Sequence, residues 1–263
     1  MRYHGGELEV QRRAGGEEIA ARLLRGVRDE LPYAAREFLS DQPMLIVAST
    51  EGEDVRADVL YGAPGFISTP DEHTVHVAGR AFEGPVGLLA LEPATRRRMR
   101  VNGEATPTAT GFAVSTGEVY SNCPKYIQRR EIAGPAVTGR MPVSDRELIE
   151  TADTFFVATA AHGGADASHR GGAPGFVQTD GERLTFPDYP GNNMYGTLGN
   201  LLANPRIGLL FLDWETGDAL QITGAAEVDL DSHAVQVTIE RTIRTPNAVP
   251  LRWVLLERSR FNP

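Results

Sequence analysis

The chain carries a single cysteine, Cys123, in 263 residues, so an internal disulfide and a cysteine-only metal site are both excluded. No apolar run approaches the ~20 residues that a membrane-spanning helix needs. The opening MRYHGGELEVQRR lacks the apolar stretch of a secretory signal, and the expected location is cytoplasmic. Positive charge is also short: 26 Lys and Arg stand against 35 Asp and Glu, a net charge of −9. That balance speaks against non-specific nucleic-acid binding, which runs on phosphate neutralisation. Gly-x-Ser-x-Gly, P-loop and His-Glu-x-x-His motifs are missing, which removes the common hydrolase and nucleotide-hydrolase readings. Without Gly-x-Gly-x-x-Gly, no dedicated dinucleotide domain is expected.

Some of the basic residues come clustered, in Thr95–Arg100 and Gln128–Arg130. Each cluster reads either as solvated surface or as a local anion site. The length allows two domains of about 100–130 residues. An N-terminal helical segment is expected over 1–40, with Ile19, Leu23 and Val27 at four-residue spacing in Glu17–Arg28 and a second helix over Tyr33–Leu39. From Pro43 the pattern turns to short β-branched and apolar runs broken by Gly, Pro and Asp, which suggests a barrel or sandwich.

The pattern then starts again. Gly62-Ala-Pro-Gly-Phe66 recurs as Gly172-Ala-Pro-Gly-Phe176, 110 residues later. Gly87-Leu-Leu-Ala-Leu91 is matched by Gly208-Leu-Leu-Phe-Leu212, 121 residues later. The chain is therefore read as an internal duplication: repeat 1 over 41–133, a linker over 134–145, repeat 2 over 146–245 and a tail over 246–263. The offsets 110 and 121 differ by 11, about three helical turns, so repeat 2 holds a helix that repeat 1 lacks. Met194, Leu198, Leu201 and Leu202 share one helical face, with Asn192 or Asn193 as its cap. The start of such a helix offers unpaired N–H groups and a positive dipole to an anion, and Arg170 can supply a cation from a neighbouring strand.

The runs SHRGGAPGFV, LTFPDYPGNNMYGTLGNLLANPRIGLLFLDW and LQITGAAEV, with NCPKYIQRR closing repeat 1, resemble the pyridoxamine 5′-phosphate oxidase-related, FMN-binding split β-barrel family. The resemblance implies a mainly β fold with short helices, in which two tandem split barrels form an intrachain pseudo-dimer. It implies one FMN per chain, held by repeat 2 with repeat 1 as the partner wall. Carried over by position, Arg170 would meet the phosphate, with Asn192, Asn193, Tyr195 and Thr197 beside it. Ser168, His169 and Gly171 would face the ring system. Lys125, Gln128 and Arg129 would reach it from repeat 1, or only tie the linker to the barrel. His169 is the candidate proton donor. The Ser-x-Lys of the vitamin B6 oxidases is replaced here by Tyr195-Gly-Thr197, so vitamin B6 oxidation is not the expected activity.

The expected function is FMN-dependent oxidation or reduction of a small organic substrate or redox partner. The alternative is a non-catalytic flavin, deazaflavin or haem module serving a separate reductase. No nucleic-acid, membrane or metal partner is expected, and a homodimer of pseudo-dimers is a further expectation.

Overall fold

The computed structural model describes residues 2–121 and 123–263. Three short helices lead the chain: α1 (Gly5–Arg13), α2 (Glu17–Leu24) and α3 (Tyr33–Ser40). Repeat 1 contributes β1 (Met44–Glu51), β2 (Asp54–Tyr61), β3 (Ile67–Ser68), β4 (Thr74–Ala78), β5 (Gly84–Glu92), β6 (Arg97–Thr108), β7 (Gly111–Tyr120) and β8 (Arg129–Pro135). After α4 (Asp145–Thr151), repeat 2 contributes β9 (Thr154–Ala161), β10 (Gly164–Gly171), β11 (Gln178–Asp180), β12 (Arg183–Pro187), α5 (Gly196–Ala203), β13 (Arg206–Leu212), β14 (Ala219–Asp229), β15 (Ala234–Thr245) and β16 (Leu251–Glu257).

The two seven-stranded sheets are copies of one another. Their orders are β2-β1-β5-β6-β7-β4-β3 and β10-β9-β13-β14-β15-β12-β11. Even a ladder irregularity recurs, between Asn102 and Gly103 in one sheet and between Thr223 and Gly224 in the other, again 121 residues apart. The fold is mainly β, with two curled sheets of split-barrel form. The eighth strands leave their sheets and pair with each other, Leu251 opposite Pro135 and Trp253 opposite Ile132. The segment read as a tail thus contains β16, and β8 runs into the segment read as a linker.

Each sheet closes on its own core, around Leu45, Val47, Leu88 and Phe112 in repeat 1 and Phe155, Val157, Leu209 and Phe211 in repeat 2. A third core joins the repeats. It takes the alternate residues of the same strands, Met44, Ile46 and Ala48 from β1 with Phe156 and Ala158 from β9. Successive side chains of a strand point to opposite faces. These strands, buried on both faces, therefore read as unbroken apolar runs rather than as alternation.

Two glycines set how closely the repeats approach. A Cβ on Gly87 of β5 would meet the β10 backbone at Ala165–Ala167, and one on Gly208 of β13 would meet the β2 backbone at Val55–Ala57. Gly87 and Gly208 are 121 apart, and the two strand segments they touch are 110 apart. The contact is the same one made twice, about a pseudo-two-fold axis.

Strand β2 escaped the sequence reading, and β10 entered it only as the strand that carries Arg170, because Asp54–Tyr61 and Gly164–Gly171 mix charged and small residues. In the N-terminal segment, Ile19 and Leu23 are exposed and α2 buries Ala20 instead. Helix α1 was not foreseen. Helix α5 is present, but it begins at Gly196. Asn193 and Tyr195 sit in the left-handed region before it (φ 61° and 58°), and no side chain caps it.

Candidate functional site

A cleft of about 500 Å3 opens between the repeats, with walls from both. Repeat 2 lines it with β10 and the loop leading into α5. Repeat 1 lines it with β6, the end of β7 and the turn around Cys123–Tyr126. Ser168, His169, Arg170, Gly171, Asn192, Asn193, Tyr195, Thr197 and Lys125 all border this one space. Gln128 and Arg129 do not. Gln128 is buried and accepts the Ser259 N–H at 2.8 Å, while its amide nitrogen donates to the Tyr126 carbonyl at 3.0 Å. Arg129 donates to the Ala94 carbonyl at 3.2 Å. These two residues tie the end of repeat 1 to its surroundings.

Along β10, Asp166, Ser168 and Arg170 are spaced two apart and so project to one face. On β6, Arg98, Arg100 and Asn102 do the same. The Arg100 guanidinium donates to Asp166 (3.1 Å) and to the Ser168 hydroxyl, and the Tyr120 hydroxyl donates to Asp166 at 3.2 Å. Asn102 donates to the same carboxylate at 3.3 Å. Arg170 pairs with Asp188 at 3.0 Å. His169 is buried, with Nδ1 3.5 Å from Arg98. Burial first, and then the nearby Arg98 and Arg170, push its pKa well below the ordinary value, so the imidazole is neutral.

The sequence reading missed Asn102, Tyr120 and Asp166, and held Arg98 and Arg100 only as part of a cluster that was either solvated surface or an anion site. Three consecutive arginines, Arg96–Arg98, gave the look of solvated surface. Strand alternation is the signal that could have separated them: Arg97 is exposed while Arg98 and Arg100 turn inward.

Helix α1 holds the other wall. Gly6 and Gly199 meet with room for no Cβ, which would lie 2.1 Å from the Gly199 oxygen. His4 hydrogen-bonds Asn200 at 2.8 Å, and Gln11 donates to the Met194 carbonyl at 3.0 Å. This docking brings the buried Glu7 carboxyl to the first turn of α5. A Cβ on Gly196 would lie 3.7 Å from one Glu7 oxygen and 4.0 Å from one of Asp166. Two carboxylic side chains, Glu7 and Asp166, thus lie beside the first turn of α5, next to the loop expected to meet an anion. Arg170 lies about 13 Å along β10 from Asp166. Guanidinia and carboxylates are paired at both places, Arg100 with Asp166 and Arg170 with Asp188.

Several polar atoms on residues that line the cleft are buried without a partner in the protein: Nε of Arg98, Arg100 and Arg170, Nε2 of His169 and Oδ1 of Asn102. Buried polar groups are ordinarily hydrogen-bonded, so such a concentration around one concave space makes this cleft the candidate ligand site. Around Arg170 the walls are also aromatic, with Tyr126 and Tyr189 ring centroids 5.3 Å apart and the Tyr126 hydroxyl on the Pro190 carbonyl at 3.0 Å.

The pseudo-symmetric place has lost these groups. By the repeat offsets, Leu60 stands for Arg170, Ala219 for Arg98 and Gln221 for Arg100. Gln221 is itself consumed by bonds to the Ala57 carbonyl and Asp58 at 2.8 and 2.9 Å. No group of three or more His, Cys, Asp or Glu suited to a metal occurs among the described residues.

Residues 144–248 match the family described as pyridoxamine 5′-phosphate oxidase. Among solved structures, HupZ of Group A Streptococcus is similar at 14% identity, with 43% of this chain and 98% of that one covered and a TM-score of 0.32. An F420 reductase is similar at 17% identity, covering 40% and 98% with a TM-score of 0.30. A putative pyridoxamine 5′-phosphate oxidase from Listeria innocua is similar at 14% identity, covering 37% and 91% with a TM-score of 0.29. No curated protein matches the chain.

Proposed function

We propose that the cleft binds one FMN per chain and that the protein is an FMN-dependent oxidoreductase for a small organic substrate or electron carrier. The observation that carries this reading is that Arg100 and Arg170, each with a buried Nε that has no partner in the protein, line one cleft together with the polar loop Asn192–Tyr195. The cleft volume of about 500 Å3 lies in the range of cofactor pockets. FMN brings what such walls lack: a phosphate for guanidinium and amide donors, and a planar ring with a polar edge. The match of residues 144–248 to the oxidase family supports the same reading.

Arg170 holds the phosphate in this proposal, assisted by the polar loop Asn192–Tyr195. Asp188 fixes the Arg170 guanidinium from one side, and the Arg170 Nε has no partner within the protein. FMN supplies the hydride or electron chemistry. The protein orients it, excludes water between the repeats and, through the neutral His169, offers a nitrogen that can accept or pass a proton. Loss of the equivalents of Arg170 and Arg100 from the pseudo-symmetric place gives the stoichiometry of one.

An absorbance spectrum of the purified protein, with quantitation of the chromophore released on denaturation, tests the proposal. One FMN per chain is the expected result, and a colourless protein that fails to take up added FMN would refute it. Reduction of the bound flavin by NADH or NADPH with turnover separates an enzyme from an electron-transfer module that needs a separate reductase.

A further inference from the structure

Three of the arginines that line the cleft, Arg98, Arg100 and Arg170, come from the facing strands β6 and β10, and two of these three have carboxylate partners. Arg100 has Asp166 and Arg170 has Asp188. Arg98 has none among the described residues. It donates to the Cys123 carbonyl at 2.8 Å, faces Nδ1 of His169 at 3.5 Å and leaves its buried Nε without a partner. His169 is 4% exposed and its Nε2 is equally unpartnered. A guanidinium withdrawn from water beside two others is costly unless an anion joins it. The cost is visible in its acidity: burial, then Arg100 and Arg170, push the Arg98 pKa down to about 9. The half-buried Lys125 borders the same space, also without a carboxylate partner among the described residues.

We propose that Arg98 and His169, one from each repeat, form a second anion subsite in the cleft, separate from Arg170, which takes a carboxylate or phosphate group of the molecule the flavin acts on. The assignment to a substrate rests on the flavin reading above, and the anion subsite itself does not. The substrate class is then a small organic acid or phosphate ester. The Arg98 guanidinium offers a planar donor edge to two anionic oxygens, and His169 contributes a ring nitrogen whose proton can shift to suit the ligand. Neither residue has a counterpart in the pseudo-symmetric place, where Ala219 and Val59 stand at the same offsets.

The test is calorimetric titration of the FMN-saturated protein with inorganic phosphate and, separately, with acetate. One saturable site is expected for at least one of them, and the tighter binder tells a phosphate-bearing from a carboxylate-bearing substrate. Arg98→Gln should weaken that binding by about tenfold or more, while Arg98→Lys should retain part of it. FMN affinity and the thermal midpoint should stay unchanged in both variants, which shows that they fold. The subsite is overturned if neither anion binds the loaded protein, or if Arg98→Gln binds as tightly as the wild type. It is also overturned if Arg98→Gln weakens FMN itself, since Arg98 would then hold the cofactor and the flavin reading would stand. If the protein takes up no FMN, the flavin reading falls alone. Anion binding to the protein as purified, lost in Arg98→Gln, would still support the subsite, and its persistence would refute it.

Discussion

Gly87 lies flat against Asp166: a Cβ on the glycine would stand 2.6 Å from the aspartate Cα. The contact joins a strand of repeat 1 to the strand of repeat 2 that carries the cleft. Asp166 in turn receives Arg100, Asn102 and Tyr120. The approach of the two backbones thus sets the position of the residue on which half of the cleft wall converges.

Gly87→Ala should therefore destabilise the protein by about 1–3 kcal/mol, the usual cost of overpacking a close contact, as read from urea denaturation. Gly208→Ala, at the pseudo-symmetric contact with β2, should cost a similar amount. Only the first should also weaken ligand binding, because only the first displaces Asp166.

Arg170→Ala should weaken FMN by about 1.5–3 kcal/mol, the worth of a charge-assisted hydrogen bond, measured by quenching of flavin fluorescence. An unchanged affinity would remove Arg170 from the phosphate assignment. Leu60, its counterpart in repeat 1, serves as the control position.

Glu7 gives a pH signature. Burial first, and then Glu118 and Asp166, raise its pKa from 4.5 to about 7 against the opposing hydrogen bond from the His4 N–H. Between those values the folded protein holds a proton that the unfolded chain has released, so stability falls as pH rises through this window. Glu7→Gln should flatten that decline and be the more stable protein at pH 8, by up to about 3 kcal/mol. Thermal midpoints of both proteins at pH 5 and pH 8 check it. The same slope in both would show that Glu7 does not titrate there.

The duplication was legible because insertions had not scrambled it. Offsets of 110 and 121 read from letters alone recur in the strand registers and in the bulge at Gly103 and Gly224. The helix peculiar to repeat 2 followed from the difference between the offsets. The cleft was legible mainly on one side, with Lys125 the one named residue of repeat 1 that borders it. Ser168–Gly171 and Asn192–Thr197 lie in a stretch with recognisable order, whereas Arg98 and Arg100 become functional only when β6 faces β10 across the interface. Nothing local distinguishes an inward from an outward arginine in Arg96–Arg100 except the phase of the strand. Helix α1 was hidden for a related reason: GGELEVQRR has little apolar content, and its place is fixed by a contact with Gly199, nearly two hundred residues on.

Trp253 is buried on β16, edge-on to Trp214 at 5.4 Å, and Arg130 lies over the Trp214 ring at 4.7 Å. Trp253→Ala should cost about 3–5 kcal/mol and loosen the β8–β16 ribbon. Hydrogen exchange at Arg130 and Ile132 should rise more than exchange in either seven-stranded sheet. Equal protection in wild type and variant would show that the ribbon holds without the tryptophan.

That ribbon also imposes an order on synthesis. Strand β8 leaves the ribosome about 120 residues before the strand it pairs with, an interval of roughly 6–24 s at ordinary elongation rates. Throughout it, the first barrel carries an unmet strand and the apolar outer face of β1, the two features that invite association with other nascent chains. The second barrel, by covering that face, acts as a chaperone for its twin before it acts as anything else.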